Sequence, residues 1–275
     1  MKIAVFASGS GGNCMLLSYK DSHILIDAGI SMRRVETSLH SQGLTVNDIG
    51  GVLITHEHSD HISGLKMLIK HHGPEIFAPR TVGTRLCGML PEAEDYLTVL
   101  PVGRDFPLGD IRIRAFHTPH DTDESVGYRI EGGGSFAIAT DMGCVTDEVL
   151  HGLLGADTVL LESNHDVNML CDGPYPVYLK RRILSNRGHL SNADCARLAR
   201  FLVDKGTKRI ILGHLSRENN RPGIAMAENG QALMDTGAEL FCAPVLAALK
   251  LIWRRMHCAR CKIYMRWAHE RKILY

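Results

Sequence analysis

The stretch Thr55-His56-Glu57-His58-Ser59-Asp60-His61 gathers three imidazoles and the Asp60 carboxylate directly after the apolar run Gly51-Val52-Leu53-Ile54. A short apolar run bounded by polar residues reads as a buried strand, so the cluster sits where the chain leaves the core. His56 and His58 are two apart and in an extended turn can converge on one cation. Asp60 and His61 are adjacent and point to a second cation beside it. Imidazole mixed with carboxylate suits Zn, Mn or Fe, and a set divided between two centres suits metal-assisted hydrolysis.

Each cation needs three or four protein ligands, so partners are sought at the ends of other apolar runs. His120 follows Ile111–Phe116, with His117 close by; Asp141 ends Phe136–Thr140; His214 follows Arg209–Leu212. Together these predict one cation held by His56, His58 and His120 and another held by Asp60, His61 and His214. Asp141 would bridge them. Spacing alone does not separate His120 from His117.

The elements that must position these residues are legible as runs and stripes. Apolar runs at 2–6, 15–19, 23–26, 51–54, 111–116, 125–130, 135–139, 158–161 and 209–212 predict strands. The first several are expected to be joined by turns and the later ones to alternate with helices. Helical patterns cover 62–70, 81–90, 147–154, 191–205 and 224–234. The clearest is the stripe Cys195, Leu198, Ala199, Leu202 and Val203, with Ser191 capping its start and Gly206 its end. With no repeat and no flexible linker, residues 1–249 read as one α/β domain and 250–275 as a basic extension.

The net charge of +1 conceals an asymmetry. Residues 177–221 carry eleven Lys/Arg against three Asp/Glu, and 250–275 carry eight against one. A basic sector on an otherwise acidic chain points to a polyanionic partner. The eight cysteines lack framework spacing, and no run is long enough for a secretory leader or a membrane span. A cytoplasmic protein is expected, with no membrane and no obligate protein partner. His257-Cys258-x-x-Cys261 has no second cysteine pair and is a sparse zinc motif. The glycines of Ser8-Gly9-Ser10-Gly11-Gly12-Asn13 are not followed by the Lys-Ser/Thr of a nucleotide loop, and predict a turn approaching the metal cleft.

The histidine cluster, followed by a His, an Asp and a final His after successive strands, resembles the metallo-β-lactamase fold hydrolases. Within them the chain is similar to the bacterial YycJ (WalJ) type. The matching segments are F-A-S-G-S-G-G-N, T-H-E-H-S-D-H-I-S-G, P-H-D-T-D-E-S-V-G-Y, L-E-S-N-H-D, N-R-G-H-L-S-N and G-H-L-S-R-E-N-N, in that order. The resemblance covers about residues 1–245. It implies a four-layer αββα sandwich, two divalent metal ions between the sheet edges, and 5′-exodeoxyribonuclease action on DNA ends. It places the ligand at His120, leaving His117 in the core or behind the ligands, and makes Asp27 the acid that orients the first cluster. Only about seventy residues separate Asp141 from His214, too few for the large cap domain of RNA-processing relatives.

Two cations roughly 3.5–4 Å apart share a water and lower its pKa, so a bridging hydroxide is expected to attack phosphorus. Asp60 is expected to be catalytic as well as a ligand. His189 precedes the helix begun by Ser191, where imidazole, hydroxyl and free amides can face a phosphate. The resemblance implies that His189 is a phosphate contact or the proton donor to the leaving oxygen; His165 competes for the donor role, His189 is favoured for its place at the helix start, and Glu162 would tune either one. Ser191 and Asn192 in one distal segment, and Ser216, Arg217 and Asn219 in another, are expected phosphate contacts. The competing readings are a thioester or lactone hydrolase of the same fold, an iron-dependent oxidoreductase, and a non-catalytic nucleic-acid binder. The last is disfavoured because every ligand position holds a competent residue.

Overall fold

Alternation along the strands decides the layering. In β1 (Lys2–Ala7), Ile3 and Val5 face one apolar cluster while Ala4 and Phe6 face another. In β10 (Ser135–Ala139), Phe136 and Ile138 join the first of these clusters, and Ala137 and Ala139 a third. Strands buried on both sides must lie between two layers, and here they do. The computed structural model describes residues 1–243 and 249–252.

One sheet runs in the order β14 (Leu249–Ile252), β1, β2 (Cys14–Tyr19), β3 (Ser22–Ile26), β4 (Gly51–Leu53), β5 (Ile76–Ala78), β6 (Leu97–Val99). The other runs β13 (Glu239–Cys242), β12 (Arg209–Gly213), β11 (Thr158–Glu162), β10, β9 (Val126–Glu131), β8 (Ile111–His117), β7 (Asp105–Leu108). Each sheet is half antiparallel and half parallel: β3 to β6 are parallel in the first, β10 to β13 in the second. The inner faces meet in a shared core that includes Leu17, Ile24, Leu53, Tyr128, Phe136, Leu160 and Ile211. Outside the first sheet lie α1 (Met32–His40), α2 (Ser59–Ile62), α3 (Leu65–His72) and α4 (Arg80–Met89). Outside the second lie α5 (Asp147–Leu153), α8 (Asn192–Asp204) and α9 (Pro222–Leu233), while α6 (Val167–Asp172) and α7 (Val177–Ile183) come between β11 and α8 along the chain. The result is the αββα sandwich of the metallo-β-lactamase fold. No large cap interrupts it: between Asp141 and His214 come only α5, β11, α6, α7, α8 and β12.

The strands expected from apolar runs all form, within a residue or two of their expected ends. The expected helix 62–70 is instead α2 and α3, broken at Gly64. Its N–H donates to the Ala28 carbonyl at 2.8 Å instead of along the helix, and the Ile30 carbonyl passes so close that a side chain there would meet it at 1.9 Å. The expectation that turns alone join the first strands fails at β3 to β4, where α1 intervenes. β14 pairs antiparallel with β1 and straddles the expected boundary at 249/250. The remainder of the extension, with the His257, Cys258 and Cys261 motif, lies outside the described residues. No helix among the described residues is long and apolar enough to cross a membrane.

Candidate metal centre

Parallel strands leave their C-terminal ends on one edge, and the ionisable residues follow those ends. Asp27 follows β3, Thr55 and His56 come just after β4, Asp141 follows β10, Glu162 closes β11, and His214 follows β12. Asp27, Asp141 and His214 hold left-handed backbone, at φ of 57°, 55° and 52°. Among the described non-glycine residues only Lys20 joins them. That conformation costs about 1 kcal/mol per residue and recurs where a site aims a side chain against the local preference. α2 supplies the other turn: His58 is its N-cap, so Asp60 and His61 rise on its single turn.

Four overlapping groups have candidate ligand atoms within 4.8 Å of one another. They are His56, His58 and His120; Asp60, His61 and His214; His56, His61 and Asp141; and Asp141, Glu162, His189 and His214. Asp141 stands in the middle. Its Oδ2 is 3.3 Å from His61 Nε2, and its Oδ1 is 3.4 Å from His214 Nε2 and 3.8 Å from His120 Nε2. Asp60 Oδ2 lies 3.4 Å from both His61 Nε2 and His214 Nε2.

Buried acceptors behind the imidazoles fix their tautomers. A carboxylate only accepts, so His61 Nδ1–H donates to Asp27 Oδ2 at 2.8 Å and its Nε2 faces the cluster. Asp27 also accepts the Thr55 N–H at 2.9 Å, tying β3 to the turn that carries His56. His214 Nδ1–H donates to Glu162 Oε1 at 2.9 Å, and His120 Nδ1–H to the Gly188 carbonyl at 3.2 Å. With Nδ1 taken, each Nε2 is directed inward, where it can bind a cation once its proton is displaced.

These residues fit divalent cations. His56 Nε2 and Asp141 Oδ2 are buried without any hydrogen-bond partner. His58 Nδ1 and His120 Nε2 face each other at 3.3 Å, two ring nitrogens with a cation's donors to offer. Burial alone is costly for such atoms unless something pairs with them.

Electrostatics divide the cluster. Burial opposes ionisation of Asp141, yet His214 and His61 beside it hold its carboxyl well below the usual carboxylate range. Burial opposes Asp60 as well, and hydrogen bonds from His214 and His61 overcome it in the same direction. Burial lowers the pKa of His56 and of His120. Burial would also lower His61 and His214, but Asp27 and Asp141 raise the first, and Asp141, Asp60 and Glu162 raise the second. The carboxylate half thus attracts positive charge, and a metal entering it displaces protons.

The beta-lactamase superfamily domain matches residues 22–215. The chain belongs to this superfamily. It is 36% identical over 241 residues to Exodeoxyribonuclease YycJ of Bacillus anthracis, covering 86% of this chain and 90% of that one. It is 36% identical over 230 residues to Exodeoxyribonuclease WalJ of Streptococcus pneumoniae, covering 82% and 85%. The superfamily member is therefore of the WalJ type. Among solved structures, the metallo-beta-lactamase fold protein YhfI from Bacillus subtilis superposes with a TM-score of 0.68 at 16% identity, over 90% of this chain and 98% of that one. That likeness is one of fold.

The other expected positions surround this cluster. Glu162 contacts His189 at 2.7 Å and His214 at 2.9 Å; neither ring nitrogen of His165 has a hydrogen-bond partner, and Glu162 acts on His165 through its charge alone, opposing the lowering that burial imposes. His165 is 1% exposed. His117 is neither core nor behind the ligands: half its side chain is exposed, between Glu124 and Glu148. Ser191 caps α8 by accepting the Asp194 N–H, and the buried Asn192 amide is tied to Ser163 and Asn220, so both hydrogen-bond within the protein. Asn219 is buried, and neither polar atom of its amide has a partner. Ser216 accepts the Asn219 N–H, and Arg217 is exposed above Gly11, where a side chain would meet its guanidinium at 2.0 Å. Much of the basic sector is neutralised locally, by Arg197–Asp194, Arg200–Asp204, Lys208–Asp157 and Arg209–Glu239.

Sequence reasoning missed the residues that brace the ligands. Asn13 Nδ2 lies 3.2 Å from Asp60 Oδ2 and 3.0 Å from His61 Nε2, while its N–H donates to the Asp60 carbonyl at 2.7 Å. The glycine-rich turn that ends at Asn13 does approach the cleft. Arg187 donates to the carbonyls of His120 and Thr122, and Arg182 pairs with Asp121 between them. The available signals were Asn13 ending the glycine run and the arginines Arg181, Arg182 and Arg187 in and just after α7.

Proposed function

We propose that this chain is a metal-dependent exodeoxyribonuclease that removes nucleotides from the 5′ ends of DNA. The observation that carries the reading is the convergence of His56, His58, Asp60, His61, His120, Asp141 and His214 around one buried carboxylate. The names of its 36% identical relatives support the same reaction and disfavour the thioester, lactone and oxidoreductase readings.

In this reading His56, His58 and His120 hold one divalent ion, Asp60, His61 and His214 a second, and Asp141 lies between them. The ions, Zn or Mn, with Fe as the further candidate, supply an acidified water and positive charge at phosphorus. Asp27 and Glu162 keep His61 and His214 in the tautomer that presents Nε2. His189 is the proposed proton donor. Its Nδ1–H is taken by Glu162, it is partly open to solvent, and the same carboxylate raises its pKa against the effect of burial. His165 is enclosed, and burial lowers its pKa, which suits a structural residue better.

The test is kinetic. His189→Ala is expected to keep its metals and cleave end-labelled DNA about 100-fold more slowly, whereas His165→Ala loses no more than its folding cost. A His189→Ala enzyme as fast as the unaltered protein removes that residue from the mechanism.

A further inference from the structure

The ion assigned to His56, His58 and His120 is met by three imidazoles, whereas its neighbour is met by Asp60 beside His61. The chain repeats that adjacency, in reverse order, at His120-Asp121. Asp60 Oδ2 lies 3.4 Å from His61 Nε2, and Asp121 Oδ1 lies 3.2 Å from His120 Nε2. Ligand atoms bound at about 2.0–2.2 Å to one cation stand about 3–3.5 Å from each other, which is the spacing of both pairs.

The approach of Asp121 to His120 is not a hydrogen bond. His120 Nδ1–H donates to the Gly188 carbonyl at 3.2 Å, and burial lowers the pKa of the ring, so its Nε2 has no proton to give. Asp121 Oδ1 is buried and without a hydrogen-bond partner among the described residues. His58 turns Nδ1 toward His120 Nε2 at 3.3 Å and Nε2 toward Asp121 Oδ1 at 3.8 Å. An unprotonated nitrogen and a carboxylate oxygen repel at such a distance unless a cation lies between them. The other oxygen is accounted for: Asp121 Oδ2 pairs with Arg182 of α7. One oxygen of this carboxylate is therefore fixed by a guanidinium, and the second is left facing the histidines.

We propose that Asp121 is a further ligand of the ion held by His56, His58 and His120, and that Arg182 orients it. The assignment rests on the two-ion reading of the centre and adds to it a carboxylate for the first ion. Each ion then has one carboxylate of its own, Asp121 or Asp60, besides Asp141 between them. An oxygen added to three imidazoles also shifts the site toward Mn, the harder of the candidate cations.

The test is an equilibrium titration of the metal-free protein, with Mn and separately with Zn, for wild type, Asp121→Asn and Arg182→Ala. Both variants lose the Asp121–Arg182 pair and share its folding cost, and thermal unfolding of the metal-free proteins verifies that each is folded. Asp121→Ala gives the same comparison if the amide variant does not fold. Arg182→Ala keeps the carboxylate and is expected to weaken one Mn ion by about tenfold. Asp121→Asn is expected to weaken that ion by more than about 100-fold, to weaken Zn less than Mn, and to leave the other ion unchanged. Wild-type affinity for both ions in Asp121→Asn overturns the assignment. An equal loss in the two variants overturns it too, since Asp121 would then matter only as the partner of Arg182. No DNA enters the titration, so a wild type that binds two ions and leaves DNA intact refutes the nuclease reading alone.

Discussion

Glu162 is where a one-atom change has the most widely felt consequence. Its side chain is fully buried and accepts four hydrogen bonds: from His189 Nδ1 at 2.7 Å and His214 Nδ1 at 2.9 Å on Oε1, and from the N–H groups of Met142 at 2.9 Å and Leu190 at 3.3 Å on Oε2. Glu162→Gln preserves the shape but turns one of the two acceptors into a donor. With the new NH₂ facing Met142 and Leu190, two buried N–H groups lose their acceptor. With it facing the imidazoles, His214 must move its proton to Nε2, the atom directed at Asp60 and Asp141. Either orientation forfeits charge-assisted hydrogen bonds worth about 1.5–3 kcal/mol each, for a total loss near 3–5 kcal/mol. In a domain of this size that lowers Tm by about 6–20 °C. Metal affinity should fall by about 10–100-fold, as for other losses of a group that orients a ligand. Thermal unfolding of the metal-free protein, followed by titration with Zn or Mn, reads both quantities. A variant that melts within about 1 °C of wild type and binds metal equally well refutes the reasoning.

Two further substitutions probe the brace around the ligands. Asp27→Ala removes the acceptor of His61 and of the Thr55 N–H; about a 10–100-fold loss in affinity for the metal near Asp60 and His61 is expected in an equilibrium titration. Gly29→Ala places a methyl group 1.6 Å from the Asp60 carbonyl, so this single added carbon should lower both soluble yield and bound metal. A Gly29→Ala protein with full metal content would show that the α2 turn yields more readily than its packing indicates.

Fold and site were legible in the sequence to different depths. The central strands were plain because both their faces are buried, so Gly51–Ile54 and Arg209–Leu212 read as continuous apolar runs. The helix α8 was plain because five of its apolar residues form a stripe. α1 was silent: only Val35 and Leu39 of its nine residues are buried, too few to mark a period. α7 buries only Ile183 and exposes Val177 and Tyr178, contrary to the pattern expected of a surface helix. The three-residue strands β5 and β6 are too short to carry alternation. The ligand-type residues could be found because they stand just past strand ends or cluster in the short stretch after β4. Their braces could not, because Asn13 meets Asp60 across 47 positions and Glu162 meets His214 across 52. Such pairings depend on how the two sheets face each other, which no local pattern encodes.

The central claim is that Asp141 lies between two metal ions whose joint presence drives cleavage of DNA. The most direct measurement is metal content by mass spectrometry, paired with digestion of 5′-end-labelled single-stranded DNA, for wild type and Asp141→Ala prepared alike. The account expects two metal ions per wild-type chain and stepwise loss of nucleotides. For the variant it expects fewer metal ions and cleavage reduced by at least 100-fold. Full activity in Asp141→Ala, or a wild-type protein that holds two metal ions and leaves DNA intact, would contradict it.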